Sequence, residues 1–192
     1  ARWLAGRGAR HIVLLGRSGA VAGDEEGDRT IRALQADGVQ ITSVRGDVAD
    51  QPGMQRLLDE LAATGHPVRG VVHAAAAITP GALRELSSEG LRATLRAKAE
   101  GAWVLHQLTR GHNLDLFVLC SSISSVFGAK GLGAYAAANQ FLDALAWHRT
   151  RLGLPATCIA WGPWPARREE NRHRGGDAAL MGDRRISARS RR

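Results

Sequence analysis

The chain has few cysteines and no long hydrophobic run. Only two of its 192 residues are cysteine, Cys120 and Cys158, and both lie in apolar stretches typical of strands. We expect buried thiols rather than a disulfide, which favours the reducing cytoplasm. No apolar run is long enough to cross a bilayer, so the sequence predicts no membrane association. The N-terminus lacks the pattern of a secretory signal and is typical of a helix already in progress.

The positive charge is unevenly distributed. The formal net charge is +8, and residues 166–192 contain nine arginines and four acidic residues, which gives this tail five of the eight charges. The remaining body has an ordinary charge balance, so no nucleic-acid partner is expected for it. Apolar periodicity stops near residue 165, which predicts an Arg-rich disordered tail over 165–192. A nucleic-acid-binding arm and a shifted reading frame are the alternatives for this segment.

Strand-like and helix-like segments alternate along residues 1–164. Short apolar or alternating runs predict strands at residues 11–15, 39–45, 68–74, 114–120 and 156–160. Helical spacing of apolar residues predicts helices at 2–7, 28–36, from 52 onward, 91–109 and 134–152. In the fourth helix we expect core positions at Leu91, Leu95, Trp103 and Leu105. The alternation predicts an α/β fold, a Rossmann-like doubly wound parallel sheet covered on both faces.

Three polar side chains are spaced so that they can meet at one end of this sheet. Ser122 follows an apolar strand, Tyr135 lies thirteen residues later in the first turn of a predicted helix, and Asn139 lies one turn further on. A hydroxyl, a phenol and an amide in one small volume are suited to proton donation to a carbonyl. Lys98 lies on the preceding helix, where its charge pattern alone indicates a solvated surface lysine.

Ligands of open parallel sheets bind beyond the carboxyl ends of the strands, so residues there are candidates for a cofactor site. The candidates that follow successive strands are Arg17, Ser18, Asp47, Val48, His73, Ala74 and Ala75. Arg17 and Ser18 could bind the ribose 2′-phosphate of NADP, and Asp47 could accept from an adenine amino group. Small residues at the end of the third of these strands, 68–74, let the main chain approach a ribose. A surface role is the simpler interpretation of each residue alone, and no metal site is predicted.

Five stretches of residues 1–164 carry a resemblance to a known family. They are residues 8–19, 70–75, 98–103, 134–145 and 160–164. With them the chain resembles the catalytic ketoreductase domain of a modular type I polyketide synthase, within the short-chain dehydrogenase/reductase superfamily. In that family a lysine precedes the serine by the spacing seen between Lys98 and Ser122. The resemblance therefore implies a catalytic tetrad of Lys98, Ser122, Tyr135 and Asn139, which displaces the surface interpretation of Lys98.

The resemblance also implies a reaction and its partners. NADPH would reduce the β-carbonyl of a 3-oxoacyl thioester that an acyl carrier protein holds, with other polyketide synthase domains as neighbours. Tyr135 would donate the proton, Ser122 would orient the ketone and Lys98 would polarise the phenol. Asn139 would hold a water of the proton relay. Pro163 and Trp164 would lie near the nicotinamide.

The N-terminus departs from the family pattern. The family opens with a strand and a glycine-rich turn that meets the cofactor pyrophosphate, and this chain begins after that turn. We therefore expect an N-terminally truncated sheet without its first, central strand. We also expect that residues 1–192 alone bind NADPH weakly or not at all, which a micromolar affinity would contradict.

Two other functions remain as alternatives. The first is an inactive, structural ketoreductase remnant, which the missing turn favours and the intact tetrad opposes. The second is a free-standing 3-oxoacyl carrier-protein reductase of fatty-acid synthesis. Its phenol and lysine normally lie four residues apart on one helix, where this chain has Asn139.

Two positions bear on the configuration of the product. B-type ketoreductases carry Leu-Asp-Asp after the fourth strand, and this chain has Ile78-Thr79-Pro80 there. A-type members carry a tryptophan eight residues before the tyrosine, and this chain has Phe127. The missing acids predict an A-type enzyme and an L-configured 3-hydroxyacyl product.

Overall fold

The strands of the described residues pair only in parallel, as predicted. A computed structural model describes residues 1–19 and 25–163, so Trp164 and the predicted tail at 165–192 lie outside the described residues. The strands are β1 His11–Gly16, β2 Gln40–Arg45, β3 Gly70–His73, β4 Leu116–Ser122 and β5 Thr157–Trp161. The helices are α1 Arg2–Gly6, α2 Glu25–Ala36, α3 Gln51–Ala63, α4 Ser88–Leu95, α5 Gly101–Thr109, α6 Ser124–Phe127 and α7 Gly133–Arg151.

The strands form two sheets rather than one. β1 pairs with β2, and β4 pairs with both β3 and β5. Within residues 1–19 and 25–163 no strand joins β1 to β3. This division agrees with the predicted lack of a central strand, because strands on either side of a missing neighbour cannot share hydrogen bonds across the gap. The carboxyl ends of β3, β4 and β5 lie side by side.

The chain divides into two compact units, Ala1–Trp161 and Gly162–Arg192. In the first unit the main core lies between the three-stranded sheet and its helices, with Phe117 and Leu119 of β4 packed near Leu142 and Leu145 of α7. β4 alternates buried and partly buried residues, which fits a strand covered on one face. No helix of the described residues is both long and apolar enough to cross a membrane.

A smaller core belongs to the two-stranded sheet. It consists of Ile12, Leu34 and Val39, with a few partly buried aliphatic residues against it. Gly38 has a φ of 79° between α2 and β2, a left-handed conformation that glycine adopts without the strain of a side chain. The two-stranded sheet therefore has a modest core of its own.

The helix predicted at 91–109 is not continuous. A π-helical turn, Arg96–Glu100, lies between α4 and α5. A π turn closes its hydrogen bonds over five residues rather than four, so it adds about one residue, or about 100° of rotation, to the helix. The predicted core positions Leu91 and Trp103 were wrong, since they are 37% and 40% exposed. Leu105 is buried as predicted, and Lys98 takes an inward position instead.

Candidate active site

Lys98 is a buried lysine at the centre of the π-helical turn. Its side chain is 2% exposed, and its Nζ donates to the main-chain oxygen of Cys120, 2.7 Å away. The same Nζ lies 5.4 Å from the centroid of the Tyr135 ring. A lysine that reaches the end of β4 and the face of a phenol does not match the surface interpretation that charge pattern alone favours. The π turn explains this orientation, because it rotates Lys98 toward the sheet.

Burial lowers the pKa of the Lys98 ammonium. Nearby Cys120, Cys158 and Asp143 oppose the shift by favouring the charged form. Asp143 lies on α7 one turn beyond Asn139, and it accepts a hydrogen bond from the Cys158 thiol at 3.0 Å. Burial, together with this bond and the Asp143 charge, raises the pKa of Cys158 to about 12. Cys158 is therefore a neutral thiol that donates a hydrogen bond to Asp143, rather than a reactive thiolate.

Ser122 is the last residue of β4. Its hydroxyl oxygen accepts the main-chain N–H of Ser124 at 3.2 Å, and its carbonyl accepts from the Ser125 hydroxyl at 2.9 Å. These bonds turn the chain from β4 into α6 and hold the Ser122 side chain at the sheet edge. A hydroxyl that accepts through its oxygen can still donate its hydrogen to a second acceptor. Ser122 can thus donate to a carbonyl oxygen.

Tyr135 and Asn139 lie one turn apart near the start of α7. The Asn139 amide Nδ2 donates to the main-chain oxygen of Tyr135 at 2.8 Å, and the main-chain oxygen of Asn139 accepts from the Ser121 hydroxyl at 3.3 Å. Asn139 is fully buried, and its Oδ1 has no hydrogen-bond partner. The amide is thus fixed at one end and offers an unused acceptor at the other. The structure brings Tyr135 and Lys98 together, and places Ser122 and Asn139 on adjoining elements.

The residues behind this group were not predicted. Ser121, Asp143 and Cys158 connect β4, α7 and β5 by side-chain hydrogen bonds. Ser121 and Cys158 stand among apolar neighbours in their strands, and small polar residues are common there, while Asp143 is one acidic residue on a helix. Their role depends on which side chains meet across helix and sheet, which spacing along the chain does not reveal.

Arg17 and Ser18 follow β1, as predicted, at the carboxyl end of the two-stranded sheet. The carbonyl of Arg17 accepts from Arg45 Nε at 3.1 Å, so two guanidinium groups flank this end of β1 and β2. No acidic side chain of residues 1–19 and 25–163 forms an ion pair with either arginine. Arginines without a carboxylate partner suit a phosphate group of a nucleotide. Sequence reasoning missed Arg45.

Asp47 and Val48 follow β2 and have contacts of their own. Asp47 accepts from the Ala49 N–H at 2.9 Å and from Arg96 Nε at 2.9 Å. Burial raises the pKa of Asp47, but these two bonds and the positive charges of Arg96 and Arg17 outweigh it and lower the pKa. Val48 is buried in the main core, so only its main chain is available to a cofactor. The interactions of Asp47 with adenine and of Val48 with a cofactor stay predictions.

The segment after β3 separates into a buried and an exposed part. Ala74 and Ala75 are exposed and small, which suits a close approach by a ribose. The His73 ring is buried, and its Nε2 lies 3.0 Å from the main-chain oxygen of Lys98, so only its main chain could meet a cofactor. Pro163 is exposed and belongs to the second unit, and Trp164 lies outside the described residues. Among the described residues no group of three or more histidine, cysteine or acidic side chains could bind a metal.

Comparisons with known proteins identify the family of this arrangement. A family model described as KR domain matches residues 1–166. The chain is 46% identical over 160 residues to polyketide synthase GfsE of Streptomyces halstedii, an alignment that covers 83% of this chain and 4% of that protein. The chain therefore corresponds to a small part of such a synthase.

Solved structures agree with the sequence relatives. A structure of A-type ketoreductases from a modular polyketide synthase has a TM-score of 0.80 and 42% identity, and the match covers 86% of this chain and 35% of that one. The PlmKR1 ketoreductase from the first module of phoslactomycin biosynthesis in Streptomyces sp. HK803 has a TM-score of 0.76 and 43% identity, over 82% and 36% of the two chains. The chain thus spans about a third of these solved chains, and it belongs to the KR domain family found in type I polyketide synthases.

Proposed function

We propose that the chain supplies the catalytic part of an NADPH-dependent ketoreductase that reduces a 3-oxoacyl thioester to a 3-hydroxyacyl thioester. The observation that carries this proposal is the buried Lys98 ammonium 5.4 Å from the Tyr135 ring. A cation held near a phenol stabilises the negative charge that develops on the phenol oxygen as its proton is transferred. Such a donor is what a carbonyl needs when its carbon is reduced to an alkoxide.

Ser122 completes the groups that face the carbonyl oxygen. Its position at the end of β4 is fixed by the bond from Ser124 N–H, and its hydroxyl hydrogen is free to bind the ketone. A donor already in place when charge develops on oxygen stabilises the transition state without further reorganisation. Tyr135 then transfers its proton to this oxygen, and Ser122 keeps the oxygen in position.

The role of Asn139 would be to support the reprotonation of Tyr135. Its Nδ2 is bonded to the Tyr135 carbonyl, which leaves the buried Oδ1 to accept from a water. A buried polar atom without a protein partner is a favoured position for an ordered water. This water would link the Tyr135 hydroxyl, through Lys98, to solvent. The proton that Tyr135 loses would be replaced along this route.

NADPH, when bound, supplies the hydride that the carbonyl carbon receives. Arg17, Ser18 and Arg45 fit its 2′-phosphate, because neither guanidinium group forms an ion pair within the described residues, and only the carboxylate of Asp47 lies near enough to Arg17 to interact with its charge. Ala74 and Ala75 would let the main chain approach the ribose. Asp47 would face the adenine. The arginines favour NADPH over NADH, since NADH lacks the 2′-phosphate.

The substrate is proposed to be an acyl chain carried by an acyl carrier protein. Large apolar side chains are exposed just after Ser122, in Ile123, Val126 and Phe127, and Phe127 is 83% exposed. Exposed apolar residues beside a polar catalytic group are typical of a site for a largely apolar ligand. Since the matched synthases are far longer than this chain, we expect neighbouring synthase domains as partners.

The free thiols Cys120 and Cys158 suit a cytoplasmic location.

The product is proposed to be the L-configured alcohol. Ile78-Thr79-Pro80 replaces the acidic motif of B-type members, and the structure of A-type ketoreductases matches this chain at 42% identity. Phe127 occupies the place of the A-type tryptophan as a large exposed aromatic side chain. Chiral separation of the alcohol tests this step, and a D-configured product would contradict it.

The proposed reaction is tested with the full-length protein that carries this chain. We would follow the oxidation of NADPH with a short 3-oxoacyl thioester and compare Ser122→Ala with Ser125→Ala. Ser125 is the matched control, because it is the neighbouring hydroxyl that bonds only the main chain of Ser122. We expect Ser122→Ala to lower kcat by about a hundredfold and Ser125→Ala to change it less than about fivefold. Equal losses in the two variants, or no reduction by the unaltered protein, would contradict the proposal.

A further inference from the structure

The histidine at the end of β3 has a contact that the reaction does not explain. His73 is 3% exposed, and its Nε2 lies 3.0 Å from the main-chain oxygen of Lys98. A carbonyl oxygen only accepts, so Nε2 must carry the hydrogen and the ring is a fixed tautomer. Burial lowers the pKa of His73 to about 4; the bond to the carbonyl opposes this shift and the Lys98 charge adds to it. The ring is therefore a neutral N–H donor at neutral pH.

The bond ends on the central residue of the π-helical turn. A π turn is a rare conformation that needs support from its surroundings, and it is found most often at functional sites. Here the turn is bonded from two sides. Arg96, its first residue, donates to Asp47 at 2.9 Å, and Lys98, its middle residue, accepts from His73.

Close packing fixes the His73 ring against the helix that follows. A Cβ atom placed on Gly101 would lie 2.5 Å from Val48 Cγ1 and 3.3 Å from His73 Cε1. Only glycine permits this approach, since a real Cβ atom at 2.5 Å would force Val48 away. The ring therefore lies between β3 and the start of α5, with little freedom to move.

We propose that His73 is a positioning residue for Lys98, which holds the π-helical turn through the Lys98 carbonyl and thereby sets the ammonium beside Tyr135. A lysine side chain has four rotatable bonds, so the place its Nζ can reach depends on where its main chain is held. With the main chain fixed, Nζ reaches Cys120 O at 2.7 Å and the Tyr135 ring at 5.4 Å. The importance of that placement for reduction rests on the proposed function.

Lysine labelling tests the positioning without any assay of reduction. The chain contains two lysines, Lys98 and Lys130, and Lys130 is exposed. We would treat the full-length protein with an amine-acylating reagent and follow both lysine-containing peptides by mass spectrometry. In the unaltered protein Lys98 reacts far more slowly than Lys130. His73→Leu removes the donor and should speed Lys98 labelling about five- to tenfold relative to Lys130, the effect of losing one buried hydrogen bond.

Conservative and control variants separate positioning from general loosening. His73→Gln can place an N–H where Nε2 lies, so it should restore slow labelling, whereas His73→Asn is too short and should behave as His73→Leu does. His106→Leu removes another buried histidine, 1% exposed and bonded to Arg149, and should leave Lys98 labelling unchanged. His73→Asn decides the test if His73→Leu fails to fold. Equal labelling in the Asn and Gln variants, or equal effects at His73 and His106, would overturn the proposal.

A double-mutant cycle adds the functional readout. If His73 acts through Lys98, His73→Asn lowers kcat about tenfold with little change in KM, and it lowers kcat no further in a Lys98→Met background. Additive losses would overturn the positioning role. If the unaltered protein reduces no ketone, the proposed function fails, and the labelling experiment still decides what His73 does.

Discussion

The two sheets of the molecule differ in how deeply the candidate functional side chains beside them are buried and how many hydrogen bonds fix them. Around β3, β4 and β5 the candidate side chains are buried or half-buried and bonded to nearby main-chain groups, and Lys98 and Asn139 are the most buried of them. Around β1 and β2 the candidates Arg17 and Ser18 are exposed and have a small core beneath them. The proposed proton-transfer group is thus built into the described fold, whereas the residues proposed to bind the cofactor lie on an open surface.

This difference indicates what each half can do. A buried lysine near a phenol needs no ligand to be in position, so the proposed catalytic group is preorganised. Arg17 and Ser18 are exposed, so we expect the ligand itself to complete the cofactor site. The ion pair between Asp47 and Arg96 is one contact that joins the loop after β2 to the helix carrying Lys98.

The largest effect is expected from Lys98→Met in the full-length protein. Loss of the ammonium beside Tyr135 should lower kcat by about a hundred- to a thousandfold, because the phenol becomes a weaker proton donor. Lys130→Met is the matched control and should keep its activity, since Lys130 is exposed and outside the tetrad. Comparable losses in both variants would show that the buried half is not the catalytic one.

The next largest effect is expected from acid, which should lower the stability of the part of the fold around β3, β4 and β5. Burial lowers the pKa of His73 to about 4, and burial with the charges of Arg149, His148 and Arg110 lowers the pKa of His106 to about 4. Unfolded histidines titrate near pH 6.5. The stability these residues contribute is fully present above pH 6.5 and is lost as the pH falls toward 4.

Urea denaturation at several pH values measures this loss. Between pH 6.5 and 5 each of the two histidines should remove about 2 kcal/mol from the free energy of unfolding. His106→Gln leaves one titrating group of the pair, so its stability should fall less steeply with acid. A slope that is the same in the variant and the unaltered protein would contradict the account of His106.

A smaller effect is expected in the exposed half. Arg17→Ala should weaken NADPH binding about tenfold and leave NADH binding unchanged, because only NADPH carries the 2′-phosphate. Arg32→Ala is the control, since Arg32 is an exposed arginine on α2 that bonds the main chain of Asp28. Titration calorimetry of the full-length protein with both cofactors measures the difference, and equal losses of NADH and NADPH affinity would show that Arg17 does not bind the 2′-phosphate.

The smallest effect is expected from the ion pair between Asp47 and Arg96, which joins the loop after β2 to the π-helical turn. Arg96→Ala breaks the ion pair between Arg96 and Asp47. Both residues are partly exposed, so the free energy of unfolding should fall only slightly. The same variant should quicken labelling of Lys98, because Arg96 begins the π-helical turn. A large loss of stability with unchanged labelling would show that the ion pair supports the fold and not the turn.

Much of the fold and of the candidate active site could be predicted from the sequence. The five parallel strands follow from apolar runs, and Ser122, Tyr135 and Asn139 follow from their spacing near strand and helix ends. The burial of Lys98 was implied only by family resemblance. Periodicity failed at Leu91 and at Trp103, and for Trp103 the reason is the π turn before it, whose additional residue rotates the following helix and is marked by no local pattern.

Contacts between distant elements were beyond prediction. Arg149 is fully buried, stacks on Phe117 at 3.7 Å and bonds His106 at 3.1 Å, although arginine on a helix normally predicts a surface position. The bond from His73 to Lys98 joins residues 25 positions apart through a side chain and a carbonyl. Such pairs depend on three-dimensional packing, which residue type and spacing do not determine.

The central claim is that the β3–β4–β5 half holds a complete proton donor. The most direct test is reduction of a 3-oxoacyl thioester by the full-length protein and its Tyr135→Phe variant, with NADPH bound to the same extent in both. Removing one hydroxyl should lower kcat by about a hundredfold or more and change NADPH affinity less than about twofold. A variant that reduces the ketone within about tenfold of the unaltered rate would contradict the account.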